Sequence, residues 1–374
     1  MIVEWILILI LGSFFSILLF SIFSVAFTKK KKIELGENLP MVSILLAARN
    51  EEKLILRNLE ALDQLDYPKD KLEILIGNDA SNDRTAWLVS KFIEIRSNFR
   101  LLEITENLGK GRGKANVLAH LANAAKGEFY FITDVDVKVP ANWIRSLLNE
   151  FKPSVGIVSG TTKCERGGFF ATLQAIDWLH FMGYIKAFAN IRVSCTSVGN
   201  NMAVRAEAYK QTGGYEEIDF SITEDYKLFI EVTSRGWDWR NVLSADSLGL
   251  AWYIPSVKEM LHQRKRWLIG ARELPLNWKA LIILYGLFIP ALIIITFYKV
   301  RLALLFWLLK FIFQSILIDV LCTKVKRKRF NLIKSIAYEI YVVLNTVATA
   351  VFYFLPIKSV WKGREYNAEY VGDA

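Results

Sequence analysis

The sequence contains only three cysteines among 374 residues, Cys164, Cys195 and Cys322. They are far apart and form no C-x-x-C motif, which argues against a disulfide framework or a zinc site and suits a reducing compartment. The G-x-x-x-x-G-K-[ST] spacing of a Walker A phosphate loop is also absent. The first apolar run follows MIVEW without a basic leader or a clear cleavage site, so we expect a retained anchor.

The net charge of +10 is concentrated in clusters that lie beside apolar stretches. These clusters are the lysines at 29–32, HQRKRW at 262–267 and KVKRKRF at 324–330. A nucleic-acid-binding domain would instead show a basic stripe through a polar region. The pattern therefore predicts contact with an anionic membrane surface and no nucleic-acid partner.

Four apolar stretches have about the length that spans a bilayer, at 5–27, 281–300, 302–322 and 337–355. Basic residues stay in the cytoplasm, so the lysines after the first stretch predict an outside N-terminus and a cytosolic domain after it. If the last three stretches all span, the tail WKGREY lies outside, yet its basic residues favour the inside.

Charged residues within or beside the last two stretches add to this conflict. They are Lys310, Asp319, Lys334 and Glu339. Ionisable groups are costly inside a bilayer, so one of the stretches is a candidate for a re-entrant or surface helix.

Between the first and second apolar stretches, strand patterns alternate with helix patterns. VSILLAA, LEILIG, residues 101–105 and residues 129–133 are predicted strands, and this alternation predicts an α/β fold with a parallel sheet. Open sheets of this class bind ligands at the carboxyl ends of their strands. Asp79 follows LEILIGN at such an end, whereas Asp83 is better explained as a cap for the next helix.

Asp134 and Asp136 follow the strand at 129–133. In an extended chain, alternate residues lie on one face, so we expect the two carboxylates to point together. Like charges at that distance are stabilised by a cation, and Mg²⁺ takes one or two carboxylates while leaving positions for phosphate oxygens. The local pattern predicts a metal–diphosphate site.

The glycine-rich stretch NLGKGRGKAN opens a helix at about Ala115. Backbone amides at a helix start, together with Lys114, suit a diphosphate, although a flexible basic loop has the same composition. Further along, Glu224 and Asp225 begin a helix that Thr223 is placed to cap. The helix dipole keeps a carboxylate ionised there, either as a general base or simply as a stabiliser of the helix.

Two aromatic and basic helices complete the pattern. Residues 169–189 form either a core helix or an interfacial helix beside a lipid acceptor, with His180 as a packed histidine. In HQRKRW, the side chains of Gln263, Arg266 and Trp267 share one helical face. They suit a diphosphate and a flat group, and they also suit a membrane-surface helix.

Six motifs in this order resemble the family 2 membrane glycosyltransferases, the broad group that includes cellulose, chitin and hyaluronan synthases and ceramide glucosyltransferase. The motifs are ARNEE (48–52), NDASND, GKAN, Asp134-x-Asp136, TED (223–225) and QRKRW (263–267). The resemblance covers about residues 40–272. It implies an A-type nucleotide-sugar (Rossmann-like) glycosyltransferase domain with flanking transmembrane helices, and inversion at the anomeric carbon.

The resemblance also implies roles for individual residues. Asp79 would contact uracil, Lys114 the diphosphate, Asp134 the nucleotide and the metal, and Asp136 the metal, which would be Mg²⁺ or Mn²⁺. Asp225 would be the general base. The donor-binding set would further include Ala48, Glu51, Gln263, Arg266 and Trp267.

The expected organisation is an anchor (1–28), a cytosolic transferase domain (40–255), an amphipathic interface helix (256–275), membrane segments (279–357) and a basic tail (358–374). Arg49 and Asn78 depart from the family pattern, and no gating-loop motif follows QRKRW. The tail resembles those of bacterial lipid glycosyltransferases, which implies the bacterial cytoplasmic membrane.

The sequence therefore predicts a transfer of one sugar from a UDP-sugar to a lipid acceptor in the membrane. The alternatives are a processive synthase of a short polysaccharide, with a glycan acceptor, and a non-catalytic membrane scaffold. Intact Asp134, Asp136 and Asp225 argue against the scaffold.

Overall fold

The computed structural model describes residues 2–29, 32–36, 38–165, 167–193, 198–361 and 364–366. The chain divides into two compact units. The sheet unit contains Lys30–Lys163, Thr196–Trp252 and Val360–Ala374, and the helical unit contains Met1–Lys29, Cys164–Cys195 and Tyr253–Ser359. Cys195 and residues 362–363 and 367–374 of the predicted tail lie outside the described residues.

The elements are numbered in chain order. The strands are β1 (Val42–Ala48), β2 (Leu72–Asn78), β3 (Phe99–Glu103), β4 (Phe129–Asp134), β5 (Val137–Lys138), β6 (Val155–Ser159), β7 (Thr161–Cys164), β8 (Asn201–Arg205), β9 (Asp238–Asn241), β10 (Leu248–Ala251), β11 (Ser359–Trp361) and β12 (Arg364–Tyr366). The helices are α1 (Ile2–Ala26), α2 (Ile55–Asp63), α3 (Thr85–Ile93), α4 (Lys114–Ala124), α5 (Trp143–Leu148), α6 (Phe169–Asn190), α7 (Ala206–Gln211), α8 (Gly214–Glu217), α9 (Glu224–Ser234), α10 (Val257–Gly270), α11 (Leu276–Tyr298), α12 (Val300–Lys324) and α13 (Leu332–Phe354).

The main sheet has seven strands in the order β3-β2-β1-β4-β8-β6-β9. The first four are parallel, as predicted, whereas β8 runs antiparallel to β4 and β6. Ala48 pairs with Asn78 and Ala47 with Asp134, so β1, β2 and β4 end at one edge. Their fully buried β-branched and aromatic residues form the core, which explains why these runs are strands. The α/β fold with a mainly parallel sheet is confirmed.

The strand that leads to Asp134 and Asp136 ends between them. β4 ends at Asp134, and Val135 and Asp136 form a turn that leads into β5. The alternation in burial continues through this turn, since Asp134 and Asp136 are half-buried whereas Val135 and Val137 are buried, and the shared orientation of the two carboxylates stays a prediction. Buried Val135 and Val137 hold this turn in the core.

In the helical unit, α1, α11, α12 and α13 are long and apolar enough to cross a membrane. They contain most of the four stretches that the sequence predicts. α6 contacts α1, α12 and α13. Residues Cys164–Cys195 therefore group with the helical unit, although the predicted boundaries placed them inside the 40–255 domain.

Two of the four charges that conflicted with spanning helices form a buried pair. Lys310 of α12 and Glu339 of α13 form a salt bridge of 2.6 Å with both side chains 3% exposed, and Gln314 donates a second hydrogen bond to Glu339. Pairing is what allows ionisable groups inside a bilayer. His180 is packed, with its Nδ1 atom 3.1 Å from the hydroxyl of Tyr338.

Candidate active site

Asp79 lies directly after β2, at the edge where the parallel strands end. Its backbone N–H donates to the carbonyl of Ala48, at 2.9 Å. Arg49 donates to the carbonyl of Asp79 at 2.6 Å, and its guanidinium is 3.8 Å from the Asp79 carboxylate. Arg49, which departs from the family pattern, therefore holds Asp79. Ala48 itself is 1% exposed, so only its backbone is available to a ligand.

Hydrogen bonds join the loops after β1 and β2. The N–H of Asn50 donates to Ser81, and the N–H of Glu51 donates to Thr85, at 3.1 and 2.7 Å. The carboxylate of Asp83 accepts from the N–H groups of Glu52 and Thr85. Asp83 thus ties the start of α3 to the neighbouring loop, and Glu51 is held beside the strand edge. This bracing fixes the edge on which Asp79 lies.

Asn78, the second departure from the family pattern, is 4% exposed and faces an acid. Its Nδ2 donates to Glu103 at 2.6 Å, while its Oδ1 accepts from the N–H of Ser81. An aspartate here would place a second carboxylate beside Glu103, which costs free energy because like charges repel. The amide is therefore the residue that this environment requires.

We expect Asn78→Asp to destabilise the protein by about 1–3 kcal/mol near pH 7, since a buried donor is lost and a charge is added. The loss should shrink at pH 5, where one of the two acids takes a proton more readily. Thermal unfolding of the purified protein at both pH values measures this. The exposed Asn82→Asp is the matched control, and equal destabilisation by both variants would contradict the explanation.

The turn that carries Asp134 and Asp136 is held by two residues of α2 that sequence reasoning missed. Asn58 is fully buried and donates to the carbonyls of Asp134 and Val137, at 3.0 and 2.8 Å. Arg57 donates to the carbonyl of Asp136 at 3.1 Å. The sequence did contain a signal for Asn58, which is a polar residue in the core-facing stripe of an amphipathic helix. A buried amide at such a position needs hydrogen-bond partners.

The glycine-rich loop places Lys114 at the first residue of α4. Gly109 and Gly113 have φ values of +49° and +56°, which side chains other than glycine rarely adopt. A Cβ on Gly109 would lie 2.2 Å from the carbonyl oxygen of Glu216. The N–H of Lys110 donates to that same carbonyl, which connects the loop to α8.

Lys114 connects two acids that are distant in sequence. Its Nζ lies 2.6 Å from Asp134 and 2.9 Å from Glu224. Burial alone would lower the pKa of Lys114, but the effect of the two carboxylates is larger than that of burial and raises the pKa. Lys114 therefore stays charged and brings the β4 edge and the start of α9 together. Asp134 is still 37% exposed, so a ligand can reach it.

Asp225 differs from its neighbour Glu224, because backbone N–H groups and not a lysine contact its carboxylate. Gly199 donates to Oδ2 at 2.7 Å and Tyr226 donates to Oδ1 at 2.8 Å. Burial, and then the nearby charge of Glu224, raise the pKa of Asp225 to about 6. A carboxylate with this pKa is ionised near neutral pH yet basic enough to accept a proton. Thr223 occupies the N-cap position without a side-chain capping bond.

Gly199 positions Asp225. A Cβ at residue 199 would lie 2.5 Å from the Cβ of Asp225, so Gly199→Ala should displace that carboxylate. We expect turnover to fall at least tenfold with little change in nucleotide affinity, because small misplacements of reacting groups are costly. Kinetics of the purified protein with calorimetry of nucleotide binding measure both. Gly36→Ala, where nothing lies within 4 Å, is the control. Unchanged turnover in Gly199→Ala would refute this role.

Gln263, Arg266 and Trp267 lie on α10 in the helical unit and are half-buried. Their neighbours anchor this helix. Arg264 contacts Asp177 of α6 at 2.5 Å and lies over the ring of Trp267. Trp267 also contacts Trp178, with ring centroids 5.3 Å apart. The roles assigned to the three residues remain predictions.

The donor atoms at the β4 edge fit a hard divalent cation. Among the described residues, no group of three or more His, Cys, Asp or Glu is close enough to form a complete protein cage. Mg²⁺ and Mn²⁺ sites in phosphate-handling proteins need only one or two carboxylates, because the phosphates supply other oxygens. Asp134 and Asp136 provide such carboxylates, whereas a thiol-based zinc site would not suit them.

Known proteins similar to this chain are glycosyltransferases. The sequence model of glycosyl transferase family 21 matches residues 7–374. A probable glycosyltransferase of Bacillus subtilis (strain 168), YdaM, is 30% identical over 257 residues, which is 65% of this chain and 58% of that protein. The poly-β-1,6-N-acetyl-D-glucosamine synthase of Staphylococcus aureus (strain COL) is 27% identical over 254 residues, covering 67% of this chain and 58% of the synthase. The chain thus spans little more than half of these curated relatives.

Among solved structures, the mannosyltransferase PcManGT of Pyrobaculum calidifontis, in complex with GDP-Man and Mn²⁺, is similar over 94% of this chain and 98% of its own. The TM-score is 0.58 and the sequence identity is 18%. At this identity the likeness shows the fold alone. It supports the predicted α/β nucleotide-sugar fold with flanking apolar helices.

Proposed function

Because the chain belongs to glycosyl transferase family 21, we propose that it transfers a sugar, with inversion, from a UDP-sugar to a lipid acceptor in the membrane. The observation that carries this proposal is the cluster of Asp134, Lys114, Glu224 and Asp225 at the carboxyl edge of the sheet. Its four long apolar helices support a location in a membrane, where a lipid acceptor would be found. The matching model is that of family 21, and membership of family 2 is not confirmed.

In the proposed reaction, an acceptor hydroxyl attacks the anomeric carbon of the donor sugar. The new O–C1 bond forms as the bond from C1 to the diphosphate oxygen breaks, and the diphosphate leaves with the electron pair. Asp225 takes the hydroxyl proton, for which its raised pKa of about 6 is suited. Glu224 is a weaker candidate, since Lys114 already neutralises it.

The donor nucleotide would occupy the edge formed by the β1, β2 and β4 loops. Asp79, held by Arg49, is proposed to contact the uracil, and Lys114 the diphosphate. Asp134 and Asp136 would hold a divalent cation, Mg²⁺ or Mn²⁺, which supplies charge stabilisation for the leaving diphosphate. The GDP-Man and Mn²⁺ in the structure of PcManGT support a nucleotide-sugar donor and a metal.

A second candidate is processive synthesis of a polysaccharide, which the similarity to a poly-β-1,6-N-acetyl-D-glucosamine synthase favours. Both candidates use the same donor site and base. We retain single transfer to a lipid because the chain lacks a recognisable gating-loop motif after QRKRW. In both candidates the reaction takes place on the cytosolic side of the membrane, as the lysines at 29–32 predict.

The experiment that tests the proposal gives the purified protein a panel of labelled UDP- and GDP-sugars with membrane lipid extract. Products are separated into an organic phase and a polymer fraction. We expect one UDP-sugar to label the organic phase. Label in high-molecular-weight polymer would favour the second candidate, and no incorporation from any donor would contradict both.

A further inference from the structure

α13 differs from the other three long apolar helices in having one apolar face. Its exposed apolar side chains recur every three or four residues: Ile336, Ile340, Leu344, Val347, Val351 and Phe354. On the opposite face Tyr338, Glu339 and Tyr341 are buried against the rest of the helical unit. An exposed apolar stripe of this kind suits contact with lipid, and it fits either a helix in the plane of the membrane surface or a spanning helix packed on a bundle, so the contacts at the ends of α13 have to distinguish the two.

Contacts at the helix termini establish the directions of α1, α11 and α12. Lys299, between α11 and α12, pairs with Glu4 near the start of α1. At the opposite end, the Nζ atom of Lys324 donates to the carbonyls of Ala26 and Thr28, both at 2.7 Å. α1 and α12 are therefore parallel and α11 is antiparallel to them. We call the end that contains Lys324 and the exposed 326–329 segment the basic end.

The start of α11 also lies at the basic end. Trp278, in its first turn, contacts Phe188 near the end of α6, with ring centroids 5.1 Å apart. Asn190, the last residue of α6, donates to Ser24 and Thr28 at the end of α1. These contacts place the first turn of α11 beside the last turns of α1 and α6.

The short linker keeps the start of α13 within ~27 Å of the basic end, and side-chain contacts fix its other end there. Leu332 follows Lys324 by eight residues, which is too short to cross the unit and pass a helix. At its other end, Lys265 of α10 donates to the carbonyls of Phe352 and Leu355, at 3.2 and 2.7 Å. Arg272, four residues before α11, donates to the hydroxyl of Tyr353 at 2.8 Å. The C-terminal end of α13 thus lies with the start of α11.

The buried pair of Lys310 and Glu339 shows how far from the basic end α13 contacts α12. Lys310 lies 14 residues before Lys324, which is ~21 Å along α12. Long lysine and glutamate side chains span part of that depth. The N-terminal part of α13 therefore lies beside the middle of α12. The C-terminal half of α13 contacts α10.

We infer that α13 does not cross the membrane but lies in the lipid leaflet at the basic end, with its apolar stripe in the acyl region. The residues after α13 then emerge on the same side as the 326–329 segment. The occupant of the stripe is lipid, because α13 packs against α12, which is itself one of the apolar helices long enough to span a bilayer. This inference does not depend on the proposed reaction.

The test uses the full chain with its three native cysteines replaced by alanine and single cysteines introduced at exposed positions. These are Tyr298→Cys between α11 and α12, Lys326→Cys in the basic segment and Ile357→Cys after α13. Labelling by an impermeant maleimide is compared in intact and permeabilised cells. We expect Ile357→Cys to behave as Lys326→Cys, and both to lose labelling in intact cells, whereas Tyr298→Cys labels from outside.

If Ile357→Cys labels together with Tyr298→Cys, α13 crosses and the inference is wrong. If all three patterns are reversed, the inference stands and only the cytosolic orientation fails. A nitroxide at Leu344 tests the occupant: oxygen should reach it better than an aqueous nickel reagent. A nitroxide at Ile95, an exposed apolar residue of the sheet unit, should instead be more accessible to the nickel reagent than to oxygen. Water-like accessibility at Leu344 would overturn the assignment of lipid.

Discussion

Asp225→Asn is expected to lower sugar transfer by roughly 10²–10⁴-fold, the usual contribution of a general base. The amide keeps the shape of the side chain and one acceptor oxygen, so it can accept from the N–H of Gly199 or from that of Tyr226 but not from both, and it does not take the acceptor proton. Affinity for UDP should barely change, since the base acts on the acceptor. Turnover measured beside calorimetric UDP affinity tests this.

Two variants serve as controls for this result. Asp79→Ala should weaken UDP binding, because Asp79 is proposed to contact the uracil. Glu224→Gln keeps the length and polarity of the side chain next to Asp225 but loses the ion pair with Lys114. If Asp225→Asn loses UDP affinity in step with turnover, Asp225 is a nucleotide or structural residue, and Glu224 becomes the candidate base.

The pH profile of the wild-type protein should report the same group. Since burial and Glu224 raise the pKa of Asp225 to about 6, transfer should fall as the pH drops through 6 and the base is protonated. Turnover measured from pH 5 to pH 8 tests this, with nucleotide affinity at each pH as the control. A profile that is flat over that range would contradict the assignment.

Asp136→Asn is expected to reduce transfer to background while leaving the protein folded, because a neutral amide is a much poorer ligand for a hard cation. Binding of Mn²⁺ in the presence of UDP, followed by electron paramagnetic resonance, should weaken in parallel. Asp70→Asn, at an exposed turn of the sheet unit, is the matched control. Unchanged metal-dependent transfer in Asp136→Asn would remove Asp136 from the metal site.

Local sequence patterns predicted the strands and the edge at which the site forms. Unbroken apolar runs marked β1, β2 and β4, and polar residues directly after them placed Asp79 and Asp134 at one edge. The order of motifs added Asp225, which lies 91 residues after Asp134 in the chain. The positions of the strand ends and of the helix start were predictable because short stretches of sequence determine them, whereas the roles of Asp79, Asp134 and Asp225 remain predictions.

Long-range partners were not predictable from local patterns. Lys114 joins Asp134 to Glu224, and Asn58 and Arg57 hold the turn after β4, through contacts between distant segments. Periodicity does not indicate which buried polar group meets which carbonyl. The helix α6 was similarly ambiguous, because an aromatic helical stripe suits a soluble core and a membrane bundle equally.

The most direct test of the central claim follows one UDP-sugar with the purified wild-type protein and with Asp225→Asn. The measurement compares UDP released with labelled sugar recovered in the lipid phase. Our account predicts equal amounts of UDP and lipid-linked sugar for the wild type, and loss of both for Asp225→Asn. UDP release without lipid-linked sugar, or equal transfer by Asp225→Asn, would contradict it.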